Sequence, residues 1–453
     1  MHINEIHRVY FLGIGGIGMS ALARYFLWMG KEVYGYDRTG SDITRQLESE
    51  GAMINYEDVS EVIPGGIDLV IYTPAIPRFS AQRMYFEALG IPMYKRAEVL
   101  GMVASGLPVI AVAGTHGKTS ISTILAHIFK TAESRFMAFL GGISTNHYTN
   151  FLVSDNPQLV IAEADEYDRS FLQLFPDIAL ITSMDADHLD VYGSLETLHE
   201  SFRLFVANIR GNGTLITHRR LTQLNDLNVE NLTYSLEDKA DFSAANIRIE
   251  NGQYRCEFIH KDKAYPVVFG GAGRHNLENA LAASAVAAKA GIVWKDIVSA
   301  LATYKGVKRR FEIMLHEPLM VYIDDYAHHP EEIKTCVASA REMFPSKKIT
   351  GVFQPHLYSR TRDFAAEFGQ ALDLLDEVIV LDIYPAREQP IEGVDAKLIL
   401  DHIHTARKHH LSDENLIPFV EKGNFEVFIT MGAGSIDRFV AAIKDALIKK
   451  IVK

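Results

Sequence analysis

Two glycine-rich turns, each set between a short apolar run and a helical pattern, limit the folds open to this chain more than any other feature. The first is Gly13-Ile14-Gly15-Gly16-Ile17-Gly18, after the apolar run 9–13 and at the head of a helical pattern over 17–29. The second is Ala113-Gly114-Thr115-His116-Gly117-Lys118-Thr119, after the run 108–113. Turns of this kind join a buried parallel strand to the helix that covers it, and repetition of the unit builds a doubly wound α/β sheet. Further apolar runs at 32–37, 69–73, 159–162, 178–182, 319–323, 349–353, 378–381 and 425–429 keep the same alternation. The spacing predicts an α/β chain of three domains, at 1–106, 107–306 and 307–453. The 453 residues fit that number at roughly 150 per domain. The outer two domains read as Rossmann-like, and the central one as a P-loop ATPase type with a mostly parallel sheet. Between 213 and 269 the texture changes to short alternating runs such as Tyr254-Arg255-Cys256-Glu257-Phe258-Ile259, which predict antiparallel strands inserted in or appended to the central sheet. A small-residue helix follows over 276–290.

The loops differ in their chemistry. Asp37 ends the strand after the first, which matches a dinucleotide fingerprint: glycines let the backbone approach a pyrophosphate and the acid holds a ribose hydroxyl. Taken alone, that loop fits an NAD-dependent oxidoreductase, although what it reports is a diphosphate rather than a nicotinamide. The second loop ends in Gly117-Lys118-Thr119. Its N–H groups can cradle phosphate, Lys118 can reach the β/γ oxygens and Thr119 can ligate Mg²⁺. Val112 stands where strict P-loop spacing has glycine, so the loop is a variant. Two diphosphate sites in successive domains imply one nucleotide that is consumed and another that serves as a handle or cofactor.

Acidic clusters follow two central strands: Glu163-Ala164-Asp165-Glu166 and Asp185-Ala186-Asp187-His188-Leu189-Asp190. In open parallel sheets ligands gather at the carboxyl ends of strands, so both clusters point to the P-loop edge. Magnesium takes oxygen donors, which Thr119 and Glu163 offer, while His188 suits a second ion or a hydrogen bond. Gly273-Arg274-His275-Asn276-Leu277-Glu278-Asn279 opens the small-residue helix, where Asn276 can serve simply as a cap. In the last third, Lys308-Arg309-Arg310, Asp324-Asp325-Tyr326-Ala327-His328-His329-Pro330 and Gln354-Pro355-His356-Leu357-Tyr358-Ser359-Arg360 lie at or near strand ends. An arginine beside a strand-end histidine suits a carboxylate.

Composition removes several function classes. With 45 Lys and Arg against 57 Asp and Glu the formal charge is -12, the wrong sign for a general nucleic-acid binder. Cys256 and Cys336 stand apart without ligand spacing, so neither a disulfide framework nor a thiolate zinc site is expected. The mixed polar start over residues 1–8 lacks the pattern of a signal peptide, and no apolar run of about 18 residues occurs to span a membrane. A cytoplasmic location is expected.

Taken in order, these segments resemble the Mur ligases of peptidoglycan synthesis, most closely the branch that adds L-alanine. The similarity rests on Gly15 to Ser20, Gly114 to Thr119, Glu163 to Glu166, Asp187-His188-Leu189-Asp190, His275 to Asn279, Arg309-Arg310-Phe311-Glu312, Asp324 to Pro330, Phe353-Gln354-Pro355-His356 and Tyr384-Pro385-Ala386-Arg387. The resemblance implies an ATP-dependent ligase that joins L-alanine to UDP-N-acetylmuramate. The first domain would bind the UDP-sugar, with Gly15, Gly16, Ile17, Gly18, Met19 and Ser20 near the diphosphate and Asp37 and Thr73 near the uridine. The middle domain would bind ATP through Gly114, Thr115, His116, Gly117, Lys118, Thr119 and Ser120, with Asn279 at the adenine and His275 close by. Two Mg²⁺ ions are implied, one on Thr119 and Glu163 and one on His188. Arg310 and Asp325 would meet the phosphates and ribose. Lys118, Glu163, His188 and Arg310 form the catalytic set, and Tyr326, His328, His356 and Arg360 would seat L-alanine. The segment 306–310 is expected to be a hinge. A monomer or weak homodimer is implied, with no nucleic-acid or membrane partner. A ligase that rejoins a ready-made tripeptide to the same sugar nucleotide is the near alternative. Leu357, Tyr167 and Ser435 depart from the family pattern. Phe202 stands where branches adding later residues carry a lysine, which fits the alanine-adding branch.

Overall fold

Among the described residues, the first 100 positions contain five short strands, β1 (Arg8–Leu12), β2 (Glu32–Tyr36), β3 (Met53–Asn55), β4 (Leu69–Tyr72) and β5 (Met93–Lys95). All pair in parallel in the order β3-β2-β1-β4-β5. Val9, Tyr10, Phe11 and Leu12 of β1 are fully buried, as expected of a strand covered on both faces. The order reverses beside β1, and there the helix Ile17–Trp28 begins. A crevice at such a switch point is where doubly wound sheets take ligands. The computed structural model describes residues 3–185, 189–224, 226–386 and 388–451.

Among the described residues the next sheet has ten strands: β6 (Val109–Ala113), β7 (Met137–Phe139), β8 (Phe151–Val153), β9 (Val160–Glu163), β10 (Ile178–Ile181), β11 (Thr214–His218), β12 (Glu230–Ser235), β13 (Phe242–Glu250), β14 (Gln253–His260) and β15 (Lys263–Phe269). Their order is β15-β14-β13-β12-β11-β10-β6-β9-β7-β8. The antiparallel expectation for 213–269 needs correction. β11, β12 and β13 continue the parallel sheet, since β10 pairs β11, β11 pairs β12 and β12 pairs β13 in parallel. Strict alternation of burial appears in β14, inside the reversed part, and not in β11 or β12. Within 213–269 reversal is confined to β13–β15, whose connections are Asn251-Gly252 and Lys261-Asp262, all four at positive φ; at the other edge of the sheet β8 runs antiparallel to β7. Two-residue turns with both φ positive are hairpin turns, and parallel strands cannot be joined so briefly.

The last sheet is built from β16 (Glu312–His316), β17 (Val321–Asp325), β18 (Ile349–Phe353), β19 (Glu377–Leu381), β20 (Lys408–Leu411) and β21 (Val427–Met431). Its order is β16-β17-β21-β18-β19-β20, parallel except for β16. The architecture is thus a three-domain α/β fold with mostly parallel sheets. Contacts along the chain gather it into two compact units: residues 1–247, 255–268 and 278–304 in one, and 248–254, 269–277 and 305–453 in the other. The first sheet and most of the second therefore share a unit. Cys256 and Cys336 are both buried thiols outside any disulfide.

Candidate active site

At the switch point of the first sheet, positive φ at Gly13 turns the chain out of β1, and a methyl there would meet Thr73 Cγ2 at 2.8 Å. Thr73 and the glycine turn are thereby neighbours. Asp37 is folded back on the loop: its Oδ2 accepts the Gly15 N–H at 2.8 Å, and any side chain at Gly15 would collide with it. Its other oxygen, Oδ1, lies 3.4 Å from the Thr39 N–H and keeps acceptor capacity for a ribose hydroxyl. Met19 and Ser20, in the first turn of the helix, are buried, and the Ser20 N–H donates to Gly16 O at 2.8 Å. Asn150, in the second sheet's domain, donates to Ile17 O at 2.6 Å and Ser20 Oγ at 2.9 Å, and accepts from Arg24. Helix Ile17–Trp28 is thus fixed from outside its own domain.

The second loop lies in the same unit. Gly117 caps helix Lys118–Thr131 at φ 81°, and a Cβ there would strike the Asn279 amide at 2.7 Å, which places Asn279 against the P-loop. Thr115 Oγ1 lies 2.8 Å from Ser183 Oγ, which also accepts the His116 N–H at 3.1 Å. Ser120 is buried in the first helical turn. Thr119 Oγ1 donates to Glu163 Oε1 at 3.1 Å, and Gly141 N–H donates to Glu163 Oε2 at 3.0 Å. Lys118 Nζ donates to Gly114 O at 2.7 Å and to Glu166 Oε1 at 2.9 Å. Burial opposes the lysine's charge, but Glu166, Asp165 and Glu163 outweigh it and hold its pKa above the ordinary range. His188 and Asp187 fall outside the described residues, as does Arg387.

In the second unit the strand ends of the last sheet collect the remaining candidates. Asp325 accepts the N–H groups of Phe311 at 2.6 Å and Ala327 at 2.7 Å. Burial still pushes its carboxyl up to about 7 against the pull of Arg310. The guanidinium groups of Arg309 and Arg310 lie 5.2 and 5.1 Å from the centre of the Tyr326 ring. His328, at the approach to helix Pro330–Met343, has its N–H bonded to Glu332 Oε2 at 3.0 Å and its ring Nδ1 3.0 Å from Tyr326 O. Burial pushes this imidazole below its usual pKa, Glu332 acts the other way, and the Arg360 charge adds to the depression. His356 stands 6.2 Å from His328 and stacks on Tyr384 at 5.8 Å. Tyr326, His328, His356 and Arg360 therefore form one cluster. His275 belongs to this unit too, with Nδ1 2.9 Å from Ser339 Oγ.

Several participants were not readable from sequence as such. Glu166 was visible only as one acid among several, and Gly141 had no motif around it. Gln354 appeared in a motif without a role; it is buried, accepts the Ile436 N–H at 2.9 Å and donates to Ser435 Oγ at 3.1 Å. That bond braces a third glycine turn, Gly432-Ala433-Gly434, where a methyl on Gly434 would come within 2.5 Å of Gln354 Oε1.

Three family profiles match the chain in order: the Mur ligase family catalytic domain over residues 8–107, the Mur ligase middle domain over 112–287 and the Mur ligase glutamate ligase domain over 309–433. The chain is similar to the UDP-N-acetylmuramate–L-alanine ligase of Parabacteroides distasonis, at 46% identity over 461 aligned residues and 100% of both chains. The solved UDP-N-acetylmuramate-alanine ligase of Thermotoga maritima superposes with a TM-score of 0.84 at 27% identity, over 98% of this chain and 99% of that one. A murein peptide ligase of Psychrobacter arcticus shares the fold with a TM-score of 0.72 at 23% identity, over 97% and 98%. A lysine and a threonine held by strand-end acids, in a chain that matches such relatives from one end to the other, leave one conclusion: the chain belongs to the Mur ligase family.

Proposed function

We propose that the chain is an ATP-dependent ligase joining L-alanine to the lactyl carboxylate of UDP-N-acetylmuramate, in peptidoglycan precursor synthesis. The observation that carries the reading is the Lys118–Glu166 and Thr119–Glu163 pairing at the P-loop, in the same compact unit as the first glycine turn. The full-length similarity to alanine-adding ligases supports it. Domain limits at 1–106, 107–306 and 307–453 assign the UDP-sugar, ATP and the amino acid in turn.

A free carboxylate is a poor electrophile, so the reaction needs activation. A lactyl oxygen attacks the γ-phosphorus of ATP, the bond from that phosphorus to the ADP oxygen breaks, and an acyl phosphate forms. The neutral amine of L-alanine then attacks the acyl carbon, the C–O bond to phosphate breaks, and the amine gives up a proton. In such transfers the protein chiefly positions partners and offsets charge. Lys118 would exchange Gly114 O and Glu166 for phosphate oxygens, aided by the loop N–H groups. Asn279 and His275 would serve the adenine side, Arg310 and Asp325 the phosphates and ribose. Tyr326, His328, His356 and Arg360 would hold the amino acid, Arg360 matching its carboxylate. Gly15 to Ser20, Asp37 and Thr73 would hold the UDP-sugar.

Thr119 and Glu163 fit Mg²⁺, because a hydroxyl and a carboxylate 3.1 Å apart beside a phosphate loop are the hard oxygen donors it prefers. Bound there, the ion would offset charge on the transferring phosphoryl group. His188 is proposed for a second ion. The chain is expected to work in the cytoplasm as a monomer or weak homodimer.

ADP release in the presence of UDP-N-acetylmuramate and a panel of L-alanine, glycine, L-serine and a ready-made tripeptide with a free amine tests the reading. L-alanine should give the highest kcat/KM. Turnover with the tripeptide alone would assign the recycling reaction instead, and a nicotinamide-dependent absorbance change without ADP would restore the oxidoreductase.

A further inference from the structure

The acidic segment after β9 faces two ways. Glu163 and Glu166 turn to Thr119 and Lys118, while Asp165 and Asp168 turn to the first domain. Lys95 Nζ lies 2.7 Å from Asp168 Oδ2, and Arg96 NH2 lies 3.8 Å from Asp165 Oδ2. Lys95 is therefore engaged in a close ion pair. Arg96 is not, since 3.8 Å is beyond hydrogen-bond reach.

The position of Arg96 is set locally. It opens helix Arg96–Ala104, whose start is fixed by Glu98 Oε2 accepting the Lys95 N–H at 2.6 Å. From there its guanidinium lies against the first turn of helix Ile17–Trp28. A methyl on Gly18 would come within 2.9 to 3.2 Å of Arg96 Cδ, Nε and Cζ, so the missing side chain at 18 is what admits the guanidinium. The glycine turn offers backbone N–H groups to a diphosphate. One of its N–H groups, that of Gly15, is already taken by Asp37, whose carboxylate adds a negative charge beside the loop. A diphosphate seated here needs a cation to balance both its own charge and that of Asp37. Arg96 has a planar fork of donors suited to phosphate oxygens and stands at the mouth of the loop.

We propose that Arg96 is a diphosphate-binding residue of the first glycine turn, drawn only loosely by the Asp165 carboxylate 3.8 Å away until the sugar nucleotide arrives. The proposal rests on reading that turn as the UDP site. It also makes Asp165 a positioning residue that competes with the diphosphate for the same guanidinium.

Calorimetric titration of the full-length protein with UDP and, separately, with ADP tests it. Arg96→Ala should weaken UDP about 10- to 100-fold, as loss of charge-assisted hydrogen bonds does, and leave ADP within about two-fold. Arg96→Lys should recover part of the loss. Asp165→Asn should tighten UDP by roughly two- to five-fold, the scale of a partly exposed ion pair. Unchanged UDP affinity in Arg96→Ala would overturn the assignment. An equal loss of UDP and ADP would overturn it too, by showing that Arg96 only holds the two domains together. Weaker UDP binding in Asp165→Asn would remove the competing role of Asp165. Wild-type protein that binds ADP but no UDP would instead discard the reading of the turn, and the proposal with it.

Discussion

Lys118 shows how one side chain is kept ready by its surroundings. Buried and tied to Glu166, it stays charged because three nearby carboxylates outweigh desolvation. Its replacement by alanine leaves Glu166, itself fully buried, without its lysine partner. Lys118→Ala should lower ADP release by at least about 100-fold, the scale of losing one preorganised transition-state donor. UDP affinity in calorimetry should stay within about two-fold, and a joint loss would argue against separate sites. The Gly117-Lys118-Thr119 ending was legible in the sequence because the phosphate chemistry requires those residue types in succession. Glu166 and Arg96 were not, because their roles depend on partners 48 and 69 or more residues away that only the folded sheets bring near.

Helix Lys118–Thr131 carries a second set of ties further along. His127 Nδ1 lies 3.2 Å from His147 Nε2, and its Nε2 lies 3.0 Å from Thr303 Oγ1, at the end of helix Trp294–Thr303. Asn146 Nδ2 donates to Thr303 O at 2.8 Å. Burial, then the neighbouring His147, pushes His127 down to about 4, and burial with Lys130 lowers His147. Tyr304 packs on the other side of the ring. A histidine whose folded pKa lies below its unfolded one binds its proton more readily once unfolded. Stability is then full above about pH 6.5 and falls as the pH drops towards 4, by up to about 3 kcal/mol for His127 alone. Urea unfolding at pH 7 and pH 5 should show about 2 kcal/mol of that loss, and His127→Gln should reduce it. Among the elements, long apolar runs ended by Gly or Asp read correctly as buried parallel strands. The three-residue strands β3, β5, β7 and β8 were too short to show a pattern, and β20, Lys-His-His-Leu, lacks an apolar run because it is an edge.

For the whole molecule, the division into two compact units has a direct optical readout. Trp28 and Trp294 are the two tryptophans of the chain, and both belong to the unit that holds the glycine turn and the P-loop. Tryptophan fluorescence should therefore follow that unit, while far-ultraviolet circular dichroism follows both. UDP at 100 times its Kd should stabilise the fluorescence transition by about 2.7 kcal/mol, leaving a second dichroism component unmoved. Coincident shifts by both probes would mean that the molecule unfolds as one. The three-domain plan was legible from length and strand spacing. The assignment of residues 248–254 and 269–277 to the later unit was not, because no local pattern marks it. That assignment has a consequence in time as well as in space. Tyr254 hydrogen-bonds Glu342, 88 residues later, and His275 meets Ser339, 64 residues later. At about 5–20 residues per second on a ribosome, His275 waits on the order of 3 to 13 s before its partner has even been made. A nascent chain can thus complete its phosphate loop well before the imidazole proposed to lie beside the adenine is held in place, and ATP capture should lag behind folding of the first two sheets.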